Sequence, residues 1–212
     1  HAFAHVSDLL LQYSGNTNTE AGKLQEFAAE EGFSARLGLP WMPPELRTGV
    51  YELDAGLADS LPRLIQATDL QGDLHLHREW SDGNDPIELM IEATEAQGYE
   101  YMALTDHSAS LGVANGLTNE RRESKISLLR SMQKNDDITI LCGSECDIRA
   151  NGDMDYPDEI LAQLDWVVAS VHSAMGQDQA TMTARIIKAM EHPSVSIIGH
   201  LTARLLGQRE PV

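Results

Sequence analysis

GDLHLHREWSDGNDPIELMIEATEAQGYEYMALTDH, residues 72–107, reads as one strand–helix–strand unit. Gly72–His77 has the short apolar alternation of a strand. Asn84-Asp85-Pro86 gives a helix start, a capping side chain followed by a proline whose missing N–H costs nothing in the first turn. Ile87, Met90 and Ile91 follow at helical spacing, and Gly98 supplies the stop. Tyr101–Thr105 is the second strand. Two strands joined through a helix lie parallel, with a right-handed crossover.

The same alternation continues downstream. Glu120–Met132 reads as a helix, Ile138–Cys142 as a strand, Pro157–Leu164 as a short helix and Trp166–Val171 as a strand. Ala180–Met190 is then a helix and Val195–Ile198 a fifth strand. This is an α/β chain with a parallel sheet, either open or closed into a barrel. Upstream the pattern differs. Leu24, Phe27 and Ala28 predict a helix over Leu24–Glu31 with Gly32 as its stop, and Gly38, Pro40, Pro43 and Pro44 predict a loop. Ser60–Ala67 reads as a short helix, capped by Ser60 with Pro62 in its first turn. Residues 1–66 therefore look like a small module and linker without a core of their own. The chain opens on His1 and ends after Gly207–Val212 without a closing element, so it reads as a piece of something longer.

Composition narrows the function. No apolar run is long enough to span a bilayer, and no secretory leader opens the chain. Two cysteines, Cys142 and Cys146, cannot build a disulfide framework, which fits a cytoplasmic protein. They read as buried small residues, with strand alternation pointing Cys146 away from Glu145. The formal net charge is −18. Such a surface repels nucleic acid, so a phosphate-bearing substrate must be drawn in by bound cations or a local arginine cluster. Phosphate-cradling, dinucleotide-binding and nucleophile-elbow motifs are all absent.

In parallel α/β folds the site lies beyond the carboxyl ends of the strands. His75 and His77 end the first strand, Asp106 and His107 follow the second, Glu145 the third, His172 the fourth and His200 the fifth. A lone histidine is ordinarily solvated or hydrogen-bonded, and His1, His5 and His192 are read that way. Five at successive strand ends point to a metal centre. His75-x-His77 places both imidazoles on one face of a strand, able to grip one ion. Asp82, in the turn Ser81-Asp82-Gly83, joins them as a carboxylate ligand. Imidazoles with a few carboxylates suit zinc, manganese or iron rather than magnesium or calcium. Two or three such ions, bridged by a central carboxylate, suit phosphate ester hydrolysis. Glu145 is the candidate bridge. Glu145, His172 and Asp106 are the groups placed nearest the chemistry. Arg204, four residues after His200, is the candidate phosphate contact, with a solvated surface arginine as its alternative. Arg121 and Arg122 head a polar helix and read as solvated.

Five segments then resemble, in order, the motifs of the PHP (polymerase and histidinol phosphatase) superfamily: Gly-Asp-Leu-His-Leu-His-Arg-Glu-Trp-Ser-Asp-Gly (72–83), Leu-Thr-Asp-His-Ser (104–108), Gly-Ser-Glu-Cys-Asp-Ile (143–148), Ala-Ser-Val-His-Ser (169–173) and Gly-His-Leu-Thr-Ala-Arg (199–204). The stretch Asn151–Ser173 is similar to the PHP domain of bacterial and archaeal family X DNA polymerases, and Leu-Gly-Leu-Pro-Trp-Met-Pro-Pro-Glu-Leu-Arg (37–47) resembles the end of their polymerase core and the linker into that domain.

The resemblance implies a distorted (β/α)7-type PHP barrel, C-terminally incomplete here, over residues 70–212. A linker would occupy 37–69 and a remnant of the polymerase core, its thumb-like region, 1–36. It implies a trinuclear centre: one metal on His75, His77 and Glu145, a second on Glu145, His172 and His200, a third on Asp82 and His107. The family's closing Asp-x-His motif is absent from this chain, Arg78 stands where Thr or Ser is common, and Leu201 and Ala203 stand where Pro and Gly are usual. The polymerase's catalytic aspartates are absent too, so nucleotide addition is not expected. The implied activity is a manganese- or zinc-dependent 3′–5′ exonuclease acting on DNA 3′ ends and gaps in repair, beside a polymerase core in the same parent chain. A histidinol-phosphatase-type phosphomonoesterase and a non-catalytic metal-binding module are the alternatives.

Overall fold

The computed structural model describes residues 32, 34–35, 38–132, 138–205 and 207–208. The helix expected over Leu24–Glu31 lies outside the described residues. The chain divides into two compact units, residues 1–65 and 66–212.

In the first unit Gly32 does not end a helix, because Gly32, Ser34 and Ala35 are all helical. Glycine only disfavours a helix interior, by about 1 kcal/mol, and does not forbid it. The stop is Gly38 at φ +69°. Its amide donates to Ala35 O at 3.1 Å and the Leu39 amide to Ser34 O at 3.0 Å, the paired bonds of a glycine-terminated helix. A 3-10 turn follows at Pro44–Leu46, and a short helix α1 at Glu52–Leu57 was not expected. Glu52 explains it. Its buried carboxylate accepts the amides of Gly49, Val50 and Tyr51 and the Thr48 hydroxyl, holding the turn into α1. The helix expected over Ser60–Ala67 does not form; only Ala67–Asp69 makes a 3-10 turn. Ile65, within that span, is 79% exposed. A segment of this length without a packed face lacks what stabilises short helices.

The second unit carries β1 (Gly72–Leu76), α2 (Ile87–Ala96), β2 (Tyr101–Leu104), α3 (Asn119–Met132), β3 (Thr139–Asp147), α4 (Asp158–Leu161), β4 (Trp166–Ser170), α5 (Gln179–Met190) and β5 (Ile197–Ile198). The strands form one sheet in the order β1-β2-β3-β4-β5, every pairing parallel. Sequential order with right-handed crossovers puts all the helices on one face, and a parallel sheet covered on one face only is the barrel arrangement rather than the doubly wound one.

Pro86 is itself the last extended residue before α2, and no side chain caps that helix. Gly98, at φ +74°, ends it, with the Tyr99 amide donating to Thr94 O at 3.1 Å. Most strand and helix ends shift by a residue or two, as ends do; α4 stops at Leu161 because its last turn closes with 3-10 bonds.

β3 is the exception. It runs on to Asp147, so Glu145 lies within the strand rather than after it. The residues after Cys142 are small or polar, yet they pair on both sides: Glu145 N donates to Thr105 O at 2.8 Å, and Gly143 through Asp147 pair with β4. Ile140, Cys142, Cys146 and Ile148 face the helices in two apolar clusters. The first joins β1–β3 to α2 and α3, the second β3 and β4 to α4 and α5. Alternation therefore turns Gly143, Glu145 and Asp147 to the opposite, concave face. Cys142 and Cys146 are buried and free, as expected.

Candidate metal centre

Seven side chains converge on the concave face at the strand ends. β1 carries a bulge between Asp73 and Leu76, so Leu76 packs in the core while His75 and His77 both turn inward. Glu145 is their common neighbour. Its Oε2 lies 3.1 Å from His75 Nε2, 3.4 Å from His77 Nε2 and 3.2 Å from His107 Nδ1. Its Oε1 lies 2.9 Å from His200 Nε2 and 3.3 Å from His172 Nε2, and those two nitrogens are 3.1 Å apart. Asp82 closes the other side, at 3.5 Å from His77 Nδ1 and 3.3 Å from His107 Nε2. The donor groups that fit a single ion are His75–His77–Glu145, His77–Asp82–His107 and His107–Glu145–His172. The structure thus adds His77 to the Asp82 group, while His172 and His200 share Glu145 Oε1.

The donor set fits divalent metal. Donor-to-donor separations of 2.9–3.5 Å match the roughly 3.4 Å edge of a tetrahedron whose corners lie about 2.1 Å from a central ion. His77 Nδ1 and His107 Nδ1 are buried with no hydrogen-bond partner, as lone pairs waiting on a cation would be. One carboxylate offers about four acceptor sites, too few for five imidazoles hydrogen-bonded to it at once. Burial works to raise the Glu145 carboxyl, but its contacts with His172, His200 and His75 hold it far below the ordinary carboxylate range. Burial opposes charge on His172, yet Asp147 and Glu145 raise it to about 9. The site favours positive charge at its centre.

Local backbone brings the donors this close. A Cβ on Gly199 would stand 2.3 Å from Ser170 Oγ and 3.6 Å from Glu145 Oε1. Only glycine therefore lets the chain before His200 approach Glu145, and His200 itself takes φ +24°. A Cβ on Gly83 would stand 2.1 Å from His77 O, so the Asp82 turn can fold back against β1. Asp147, which is not among the residues expected at the site, accepts His172 Nδ1–H at 2.5 Å and the Ser110 hydroxyl at 3.0 Å. A carboxylate behind a ligating histidine fixes its tautomer and aims its other nitrogen. The signal was present: Asp147 stands two residues after Glu145 and so shares its face.

Asp106 does not join the cluster. Its carboxylate is buried in an ion-paired knot with Lys125 at 2.8 Å and Arg78 at 3.2 Å. Burial works to raise it, but those two cations hold it below the ordinary range. Arg204 is exposed. Arg122, expected in solvent, is buried with its guanidinium 4.4 Å above the Tyr156 ring and its three nitrogens unpartnered. It belongs to the inner face of α3, where Arg122, Lys125, Ile126 and Leu129 are all buried. Arg121 is half-buried and donates to Asn115 and to Trp80 O, bracing the loops after β1 and β2.

With five motif segments gathered around one carboxylate, the sequence also matches the PHP domain over residues 73–210. The chain belongs to the PHP family. Among PHP relatives, the DNA polymerase/3′-5′ exonuclease PolX of Bacillus subtilis (strain 168) is 41% identical over 196 residues, 92% of this chain and 34% of that protein. A probable phosphatase of Thermoanaerobacter sp. (strain X514) is 31% identical over 134 residues, covering 60% of this chain and 52% of its own length. A probable phosphatase of Clostridium acetobutylicum is 37% identical over 67 residues, 30% and 28% of the two chains. This PHP chain thus spans about a third of the polymerase, about half of the first phosphatase and under a third of the second. Its residues and family fit a metal-dependent phosphoester hydrolase. Among the described residues, no helix is long and apolar enough to cross a membrane.

Proposed function

We propose that this chain hydrolyses phosphodiesters from the 3′ end of DNA, as the PHP module of a family X polymerase, with His75, His77, Asp82, His107, Glu145, His172 and His200 holding two or three divalent ions. The single observation behind the DNA reading is the extent of the likeness to PolX. An alignment of 196 residues cannot fit within residues 73–210, so it takes in residues outside the PHP match. Manganese or zinc suits the donors. Bound ions would supply Lewis acidity, activating a water near neutral pH and offsetting charge on the phosphate.

The chain's own residues do the rest. Glu145, facing both halves of the cluster, would bridge. Asp147 holds His172 in one tautomer with Nε2 toward Glu145. The exposed rim, His75, Asp82 and His200, leaves the centre open to a strand end from solvent. On a chain of net charge −18 the cations, not the surface, would attract the phosphate. Arg204 is proposed to meet it from the loop after His200.

Trimming of a labelled single-stranded or gapped DNA with added Mn²⁺ is the test. Shortening from the 3′ end, lost on adding chelator, is expected. The probable phosphatases support a second reading, hydrolysis of small phosphomonoesters. Turnover of p-nitrophenyl phosphate with intact DNA would favour it.

A further inference from the structure

Beneath the imidazole cluster lies a buried ionic knot to which the hydrolytic reading gives no task. Asp106 Oδ2 accepts Lys125 Nζ at 2.8 Å and Arg78 Nε at 3.2 Å. Its Oδ1 accepts the Arg78 amide at 3.1 Å and the Ser81 hydroxyl at 3.0 Å, and its main-chain carbonyl accepts the Ser144 hydroxyl at 3.1 Å. Lys125 directs its other two N–H groups to Leu104 O at 2.8 Å and Gly143 O at 3.0 Å, joining β2 to β3. All three charged side chains are essentially sealed from solvent.

Lys125 apart, every residue of the knot adjoins a residue of the metal cluster. Arg78 follows His77, Ser81 precedes Asp82, Asp106 precedes His107, and Ser144 precedes Glu145. One residue therefore ties together four separate stretches of chain that each deliver a donor. A buried ion pair rarely adds net stability over apolar side chains of the same volume, so stability alone does not account for it. A set of donors that must stay within a few tenths of an ångström of its spacing does. The Arg78 guanidinium, stacked 3.7 Å over the Trp80 ring, locks the knot from the side of the Asp82 turn.

We propose that Asp106, clamped by Lys125 and Arg78, is a positioning residue that sets the spacing of His77, Asp82, His107 and Glu145 for divalent metal. The proposal rests on the metal-centre reading above. Outer partners of this kind typically carry 10–100-fold of metal affinity.

The test is Co²⁺ binding by the whole chain, followed by calorimetry and the visible spectrum of the bound ion, for wild type and two variants. Asp106→Asn/Lys125→Met removes the Lys125–Asp106 ion pair at similar volume and leaves Arg78 stacked on Trp80. Ser81→Ala leaves the ion pair intact and removes the hydroxyl's bond to Asp106 together with its 3.4 Å contact to Asp82 Oδ1. The double variant is expected to melt in chelator near the wild-type temperature yet bind 10–100-fold more weakly. Ser81→Ala is expected to bind one ion several-fold more weakly and to alter the cobalt spectrum, which a purely structural role would leave alone. Variants that fold and bind with wild-type affinity and spectrum overturn the proposal. Should the double variant not fold, Ser81→Ala decides by itself. A wild-type chain that binds no divalent ion overturns the metal-centre reading as well, whereas tight wild-type binding matched by the variants overturns this proposal alone.

Discussion

Asp147 and Glu52 are both buried carboxylates, and their surroundings give them different work. Asp147 meets one imidazole, so its influence is on the orientation of His172. Asp147→Asn is expected to weaken metal binding by about 10–100-fold with little change in the melting temperature of the metal-free chain. Titration calorimetry beside a melt in chelator checks it, and an unchanged affinity counts against the assigned role. Glu52 meets three backbone amides and a hydroxyl, so its influence is on folding. Burial works to raise its carboxyl, but the amides of Gly49, Tyr51 and Val50 bring it down to about 2 from 4.5. A folded-state value below the unfolded one stabilises the protein above about pH 4.5, and that contribution fades as pH falls toward 2. Glu52→Gln should destabilise by about 1–2 kcal/mol at neutral pH. In denaturant titrations the gap from wild type should close below pH 4.5, and a gap independent of pH would refute it.

At the scale of elements, α2 and α3 differ in how openly they announce themselves. α2 is legible because Ile87 and Ile91 fall on one face and Gly98 stops it in the left-handed region. A Cβ at Gly98 would touch nothing within 4 Å, so Gly98→Ala isolates the conformational cost, about 1–2 kcal/mol by chemical denaturation. A loss below a few tenths would mean the helix end rearranges freely. α3 is legible as a helix, but its inner face is not. Arg122 and Lys125 stand at the same spacing as Ile126 and Leu129, and charge at core positions looks like a solvent face until the sheet is in place. Burying an unpartnered guanidinium is costly, and the Tyr156 ring offsets only part of it. Arg122→Met should therefore stabilise the chain by about 1 kcal/mol or more. A fall in melting temperature would contradict that. β3 outruns its apolar pattern for a related reason: the pairings that extend it, to Thr105 on one side and β4 on the other, are non-local, and Gly143-Ser144-Glu145 carries no apolar alternation.

For the whole molecule, what the sequence makes plain is the rim. Short apolar strands bounded by turn residues place His75, His77, His107, His172 and His200 at strand ends and Glu145 late in β3, and a parallel sheet in sequential order gathers them. What lies behind the rim is hidden from sequence. Asp106 and Asp147 both neighbour metal-cluster residues, but that Asp106 is drawn into the core follows from its non-local partners Arg78 and Lys125, whereas Asp147 backs His172 from the Glu145 face of β3. The short helix expected over Ser60–Ala67 failed because a local pattern says nothing about whether a partner surface exists.

A donor set with this geometry should stabilise the fold when loaded. An ion at a hundred times its dissociation constant adds about 2.7 kcal/mol. The most direct measurement is the metal content per chain, after dialysis against trace Mn²⁺ and Zn²⁺, of wild type and of Glu145→Ala. At least two ions per wild-type chain, with most of them lost from the folded variant, is the expected result. Wild type holding fewer than two, or the variant holding as many as wild type, would contradict a metal centre built on Glu145.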